Sequence, residues 1–433
     1  MPLSSHERSP EQRAWHNAAI ANVDGAALGD LVAEMVAIPS PTGRERTLAE
    51  YVVRRLAGAG FAAEYQAIDA SCGNATARYR GDGTGANLLL YAPIDTHIDD
   101  ASVEDARWIG GPDRPDQRSS VERTQRYVLG LGAENPKGYA ACVIAAAEAV
   151  RRTGVPLRGD LLVGLGAAGM PAGPAGHGHG RGCAHMLEHG FRGAFAVIAK
   201  PGWSVAYEEV GLSWFRIDVK GSAGYVGIRH RVPAPNAIVD AAKVITGLET
   251  WFPEYAHHNR SGLCFPQGQV GAVDGGWPDR PAFAPAVCHV YVDLRTTPRM
   301  TSEDAHRQLD AALDRIRAQH PGLDVASTLL VAVPGGATDA NNWIVRSSVA
   351  AWEAVTGQTH EFASMTSGAT DANILRLHGI PTARIGMPKA REPLPHDGTF
   401  SMGVVDIEAM VQLTRVLIGI AIDTCTRPRA ETL

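Results

Sequence analysis

The sequence predicts an α/β protein, on three observations. Short, wholly apolar runs alternate with segments of helical period through the first half of the chain. From about residue 211 the pattern switches to the period-2 alternation WFRIDVKG at 214–221. The chain is also long, 433 residues with 45% hydrophobic content, enough to bury two full cores.

Taken in order, residues 27–60 carry apolar positions at helical spacing (Leu31, Met35, Val36, then Leu48, Val52, Leu56) on either side of a Pro-Ser-Pro-Thr-Gly turn at 39–43, which reads as helix, turn, helix. The run 87–92 ends at Pro93, as a buried parallel strand should when its C-terminal end opens on a site. Asp95 and His97 follow in the loop. Segment 101–128 is polar and turn-rich, with Trp108 as its one large apolar anchor, and is read as a rim or lid. Gly138 opens a helix over 139–152, and a strand follows at 160–165, giving strand, crossover helix, strand. Residues 169–182 are glycine-rich, with the high conformational entropy of a loop. Beyond 211 come a helix at 237–250, a strand at 288–295 and a helix at 302–319. A helix at 343–355, the loop 364–375, a strand at 382–386 and an amphipathic helix at 406–423 complete the chain.

Composition excludes several partners. A net charge of −6 gives no basic face for nucleic acid, and no apolar run reaches the 18 or so residues of a membrane span. The N-terminus lacks the charged-then-apolar order of a secretory signal, so a cytoplasmic location is expected. Six scattered cysteines without a Cys-x-x-Cys pair are expected to be reduced and mostly buried.

Five landmarks occur in one order: LLLYAPIDTH at 88–97, GLGAENPKG at 130–138, GDLLVGLGAAG at 159–169, IAKPG at 198–202 and PHDGTF at 395–400. IPSPTGRE at 38–45 and SGATDA at 367–372 accompany them. Together they resemble the zinc-dependent aminoacylase, acetylornithine deacetylase and glutamate carboxypeptidase family, over nearly the whole chain. The resemblance implies a hydrolase-like mixed sheet covered by helices. It also implies a four-stranded, two-helix α+β lid, which mediates dimerisation, inserted at 211–325 between first-domain parts at 1–210 and 326–433. A homodimer acting on a small molecule, with neither nucleic acid nor membrane, is therefore expected.

The family's two-metal ligands do not carry over. Pro93 stands where the first motif has its His ligand, although the supporting Asp95 survives. Asn135 replaces the Asp that bridges both metals. The strand that should run into paired glutamates runs into Ala167, Ala168 and Gly169, and Lys200 replaces a ligand Glu. Only His396 remains. Two dications need anionic or neutral donors around them, and here several carboxylates have gone while one ammonium has arrived. The substitutions thus agree in describing a pocket without the ion pair.

Lys200 is the sharpest catalytic candidate, as nucleophile, base or oxyanion partner; its plain alternative is an ammonium that replaces lost metal charge. His396 is the candidate acid or base, or else a hydrogen-bonded relic. Asp95 is the expected anionic partner of one of them, and Glu134 a substitute general base. Asn135, Tyr225 (where the family has a lid His), and Gly368, Thr370 and Asp371 of the glycine turn are the candidate substrate-binding residues. The turn could equally cap the next helix, with Thr370 or Asp371 as the cap. Asp293 and Arg295 keep the lid's Asp-x-Arg as a structural pair. No metal is expected, with one alternative: a single zinc held by some of His97, Asp99, His177, His179 and His396. Three functions stand: a hydrolase of a small amide, lactam or related carbonyl compound without the two zinc ions; a non-catalytic binding protein; and a hydrolase with a displaced single ion.

Overall fold

The structure, a computed structural model, describes residues 7–109, 114–173, 177–396 and 402–433. The chain divides into two compact units, one of residues 1–207, 338–363 and 370–433, the other of 208–337 and 364–369.

In the first unit a six-stranded mixed sheet runs in the order Ala62–Ala67, Gly73–Tyr79, Leu161–Gly166, Leu88–Pro93, Phe195–Ala199, Thr382–Ile385. The last four strands are parallel, and the first two form an antiparallel hairpin at one edge. Alternation along Leu88–Pro93 explains why that strand is apolar throughout. Leu88, Leu90 and Ala92 join the larger core beneath the helices Gly25–Val36, Lys137–Arg152 and Ile407–Cys425. Leu89 and Tyr91 point the other way, into a second core with Met186 and Leu375 of the helices Arg181–Glu188 and Ala372–Leu377. A strand covered on both faces can have no polar side.

The second unit is a four-stranded antiparallel sheet, ordered Gly268–Asp274, Val287–Thr296, Gly211–Lys220, Asp324–Val333. Phe215, Ile217 and Val219 and, on the neighbouring strand, Val290, Val292 and Leu294 pack against the helices Ala237–His258 and Ser302–Gln319. Here one face is buried, and the period-2 pattern follows directly. On the other face Asp293 and Arg295 form an ion pair at 3.0 Å.

Two expectations change. The boundary expected at 325 falls inside the strand Asp324–Val333, which pairs with Gly211–Lys220, so the unit continues to Ala337. Trp108 is no anchor: it is 72% exposed and stacks only under Arg107. The helix Pro10–Ala21 and the hairpin 62–79 carry too weak a periodicity to be read beforehand, because small and polar residues fill them. All six cysteines are buried, and among the described residues no helix is long and apolar enough to cross a membrane.

Candidate active site

The site residues of the first unit gather where three parallel strands end. Asp95 follows the strand Leu88–Pro93, Ala167 to Met170 follow Leu161–Gly166, and Lys200 follows Phe195–Ala199. Crossover connections leave this edge of a parallel sheet open to loops, which is why functional groups collect there.

Lys200 is 7% exposed, and its Nζ donates to Asn135 Oδ1 at 2.8 Å. The amide of Asn135 is engaged at both ends, since its Nδ2 lies 3.0 Å from Met402 Sδ. Asp95 is fully buried. Burial raises its carboxyl above the usual range; the Met170 N–H at 2.8 Å, the Thr42 hydroxyl at 2.8 Å, the Lys200 charge and the Gly169 N–H at 3.0 Å all oppose that rise. The Lys200 ammonium and the Asp95 carboxyl are therefore coupled electrostatically. His396 is not joined to Asp95. It is exposed on left-handed backbone (φ 54°), and the partner that feels its charge is the buried Asp116, which is itself paired with Arg114. The remainder of its motif, 397–400, lies outside the described residues.

A second buried carboxyl was not anticipated. Glu45, the last residue of IPSPTGRE, accepts from the N–H groups of Gly43 at 2.7 Å and Ala168 at 3.0 Å. Burial and the neighbouring Asp95 charge push it up to about 7. Glu45 and Asp95 between them bind three successive amides, Ala168, Gly169 and Met170, and so fix the loop where the family keeps its paired glutamates. Lys137 is also wholly buried, donating to the Ile38 carbonyl at 2.9 Å, with burial lowering it to about 7. Both residues sit in quoted motifs. Nothing in a single sequence distinguishes a buried acid or base there from a solvated one.

The remaining candidates are placed as follows. Glu134 accepts the Tyr139 hydroxyl at 3.2 Å. Asp371 is buried, stands at the N-cap of the helix Ala372–Leu377 and takes the Tyr91 hydroxyl at 2.5 Å on Oδ2, while Thr370 Oγ1 accepts the Ala372 N–H at 3.2 Å. Tyr91 reaches Asp371 by crossing Gly166, where a Cβ would stand 1.9 Å from the phenol oxygen. Tyr225 and Gly368 belong to the second unit, Tyr225 half-exposed with its ring beside Phe283.

The donor set does not fit a pair of divalent ions. Pro93 and Ala168 offer no side-chain donor, Asn135 Oδ1 is taken by an ammonium, and that ammonium is itself a cation. A displaced single-ion site is not assembled either. Asp99 pairs with Arg44, His97 is hydrogen-bonded to Gln117, and His177 is exposed. Among the described residues no three of His, Cys, Asp and Glu stand together as a metal site would require.

An α/β sheet with its loops converging on buried charge, and an antiparallel lid unit inserted in the chain, define a hydrolase scaffold of the two-domain peptidase kind. Residues 207–321 match the peptidase dimerisation domain. Over 91% of this chain and 93% of the relative, the sequence is 21% identical to N-formyl-4-amino-5-aminomethyl-2-methylpyrimidine deformylase of Bacillus subtilis. It is 27% identical to succinyl-diaminopimelate desuccinylase of Methylorubrum populi over 64% of this chain and 71% of that one. Human carnosine dipeptidase 1 shares the fold with a TM-score of 0.72 at 13% identity, covering 98% of this chain and 99% of that one. These matches support a relationship to the M20 peptidase and deacylase family.

Proposed function

We propose that the protein is a hydrolase that cleaves a small amide, lactam or related carbonyl substrate without a two-zinc centre, on protons and fixed charge. The observation that carries this reading is the buried Lys200 ammonium held on Asn135 with the Asp95 carboxylate behind it. A desolvated ammonium can polarise a carbonyl and hold the oxyanion that forms from it, which is the work a dication does in such a pocket. In this scheme the substrate oxygen replaces Asn135 Oδ1 on Lys200 Nζ, and Asp95 keeps the amine charged. Glu134 takes the proton of the attacking water and returns it to the leaving nitrogen. Relatives named as a deformylase, a deacetylase and a desuccinylase support an N-acyl substrate, and the dimerisation-domain match supports a homodimer.

A second reading is favoured by one observation. Lys200 and Asn135 already satisfy each other, and Met402 closes on the amide, as in a silent binding protein whose pocket is plugged.

A screen of small N-formyl, N-acetyl and N-succinyl amines and of cyclic amides, run on wild type and Lys200→Ala, decides between them. Turnover that disappears in the variant upholds the hydrolase; turnover untouched by the substitution removes Lys200 from the mechanism. No turnover in either protein favours the binding protein. Metal analysis of protein purified without chelator accompanies the screen, and two stoichiometric ions would overturn the metal-free scheme.

A further inference from the structure

The second unit holds a cavity of about 390 Å³ within its own walls, in the size range of small-ligand sites. Two short strands build its centre. Gly224–Tyr225 pairs antiparallel with Phe283–Ala284, and the register sets Tyr225 opposite Phe283, with ring centroids 5.4 Å apart and planes tilted by 32°. Gly276, at φ 84°, turns the chain so that Trp277 joins the wall; Val226 and Ile238 complete it. These side chains are large, apolar and still 45% to 62% exposed. Left open to water, that surface contributes nothing to folding.

The cavity also carries charge of one sign. Arg229 lines it, followed in sequence by His230 and Arg231, whereas among the described residues no Asp or Glu lines the cavity and no carboxylate pairs with Arg229. The nearby Asp279 is ion-paired with Arg280. A guanidinium beside aromatic faces binds planar anions through a hydrogen-bonded fork and stacking together.

We propose that this cavity binds a planar aromatic or heteroaromatic anion, its ring against Tyr225, Phe283 and Trp277 and its anionic group on Arg229. The binding is independent of the chemistry. Only the step that takes this ring to be part of the substrate rests on the hydrolase reading.

The test uses the full-length protein and three probes in isothermal titration calorimetry: 2-naphthoate, its neutral analogue 2-naphthol, and the non-planar cyclohexanecarboxylate. The expected result is that 2-naphthoate binds at least tenfold more tightly than either of the others. Arg229→Gln should abolish its advantage over 2-naphthol, and Trp277→Ala should weaken both naphthyl probes. Both side chains are exposed, so the variants should keep wild-type circular dichroism. Absence of 2-naphthoate binding, or binding unchanged in both variants, overturns the proposal. So does binding that tightens as the protein is diluted and its sedimentation mass falls, since a second copy would then be the occupant. Lys200→Ala separates the two readings: it should bind 2-naphthoate like wild type whether or not the wild-type enzyme turns over amides.

Discussion

The pocket of the first unit and the cavity of the second fail to hide opposite things. Around Lys200 the chain has buried charge: Asp95 and Glu45 are fully enclosed, and both oxygens of Asp95 and Oε1 of Glu45 accept N–H groups of the Ala168–Met170 loop. Around Tyr225 it has exposed apolar rings and an arginine in solvent. Burying ions costs stability unless each is matched, and leaving rings in water forgoes stability that burial would supply. A fold retains both only where something other than folding uses them. Under the proposals made above, the first unit is preorganised for charge that develops during a reaction, and the second is shaped for a ligand that brings its own surface.

The comparison can be broken most sharply at Lys200. Lys200→Ala should lower kcat/KM for the amide identified in the screen by about 10³-fold, the effect of removing a main oxyanion partner, while leaving 2-naphthoate binding intact; steady-state kinetics beside calorimetry measures both. Gly166→Ala probes the packing under the site. Its methyl group would drive Tyr91 off Asp371 and should cost about 2–4 kcal/mol in urea denaturation, from overpacking plus a lost buried hydrogen bond. A loss below about 0.5 kcal/mol would mean the Tyr91–Asp371 contact is not rigid.

Glu45 gives a prediction in pH. Its folded pKa, about 7, lies above its ordinary 4.5, so the folded state holds this proton more firmly than the unfolded chain does. The stabilisation is complete below 4.5, declines as pH rises, and is gone once pH has passed the folded value. Glu45→Gln keeps an acceptor for Gly43 and Ala168 but has no charge to bury. The variant should match wild type near pH 4.5 and exceed it by roughly 3 kcal/mol at pH 8. Parallel pH profiles for the two proteins would show that Glu45 is solvated. The smallest effect is expected in the lid: Phe283→Ser should change stability by less than about 0.5 kcal/mol, as an exposed side chain would. A loss of the size seen on truncating core phenylalanines, about 3 kcal/mol or more, would place Phe283 in the core and remove the contrast between the units.

Much of the scaffold was legible because burial writes itself into sequence period. Leu88–Pro93 read as a buried parallel strand, Leu161–Gly166 as a strand and Ser302–Gln319 as a helix, since side-chain direction follows from backbone geometry alone. The order of the motifs gave the family. What stood at each ligand position, Pro93, Asn135, Ala168 and Lys200, was also plain, because residue identity is the sequence.

Which of these groups meet was decided by the tertiary fold. Lys200 and Asn135 are 65 positions apart, Tyr91 and Asp371 280, and hydrogen bonds of that span depend on how strands and loops are stacked, which no local pattern encodes. The same holds for burial of charge: Glu45 and Lys137 look like any surface acid and base in the sequence, and His396 looks like an active-site histidine. Only the packing removed water from the first two and left it around the third, and solvent exposure, rather than residue type, sets the free energy of an ionisable group.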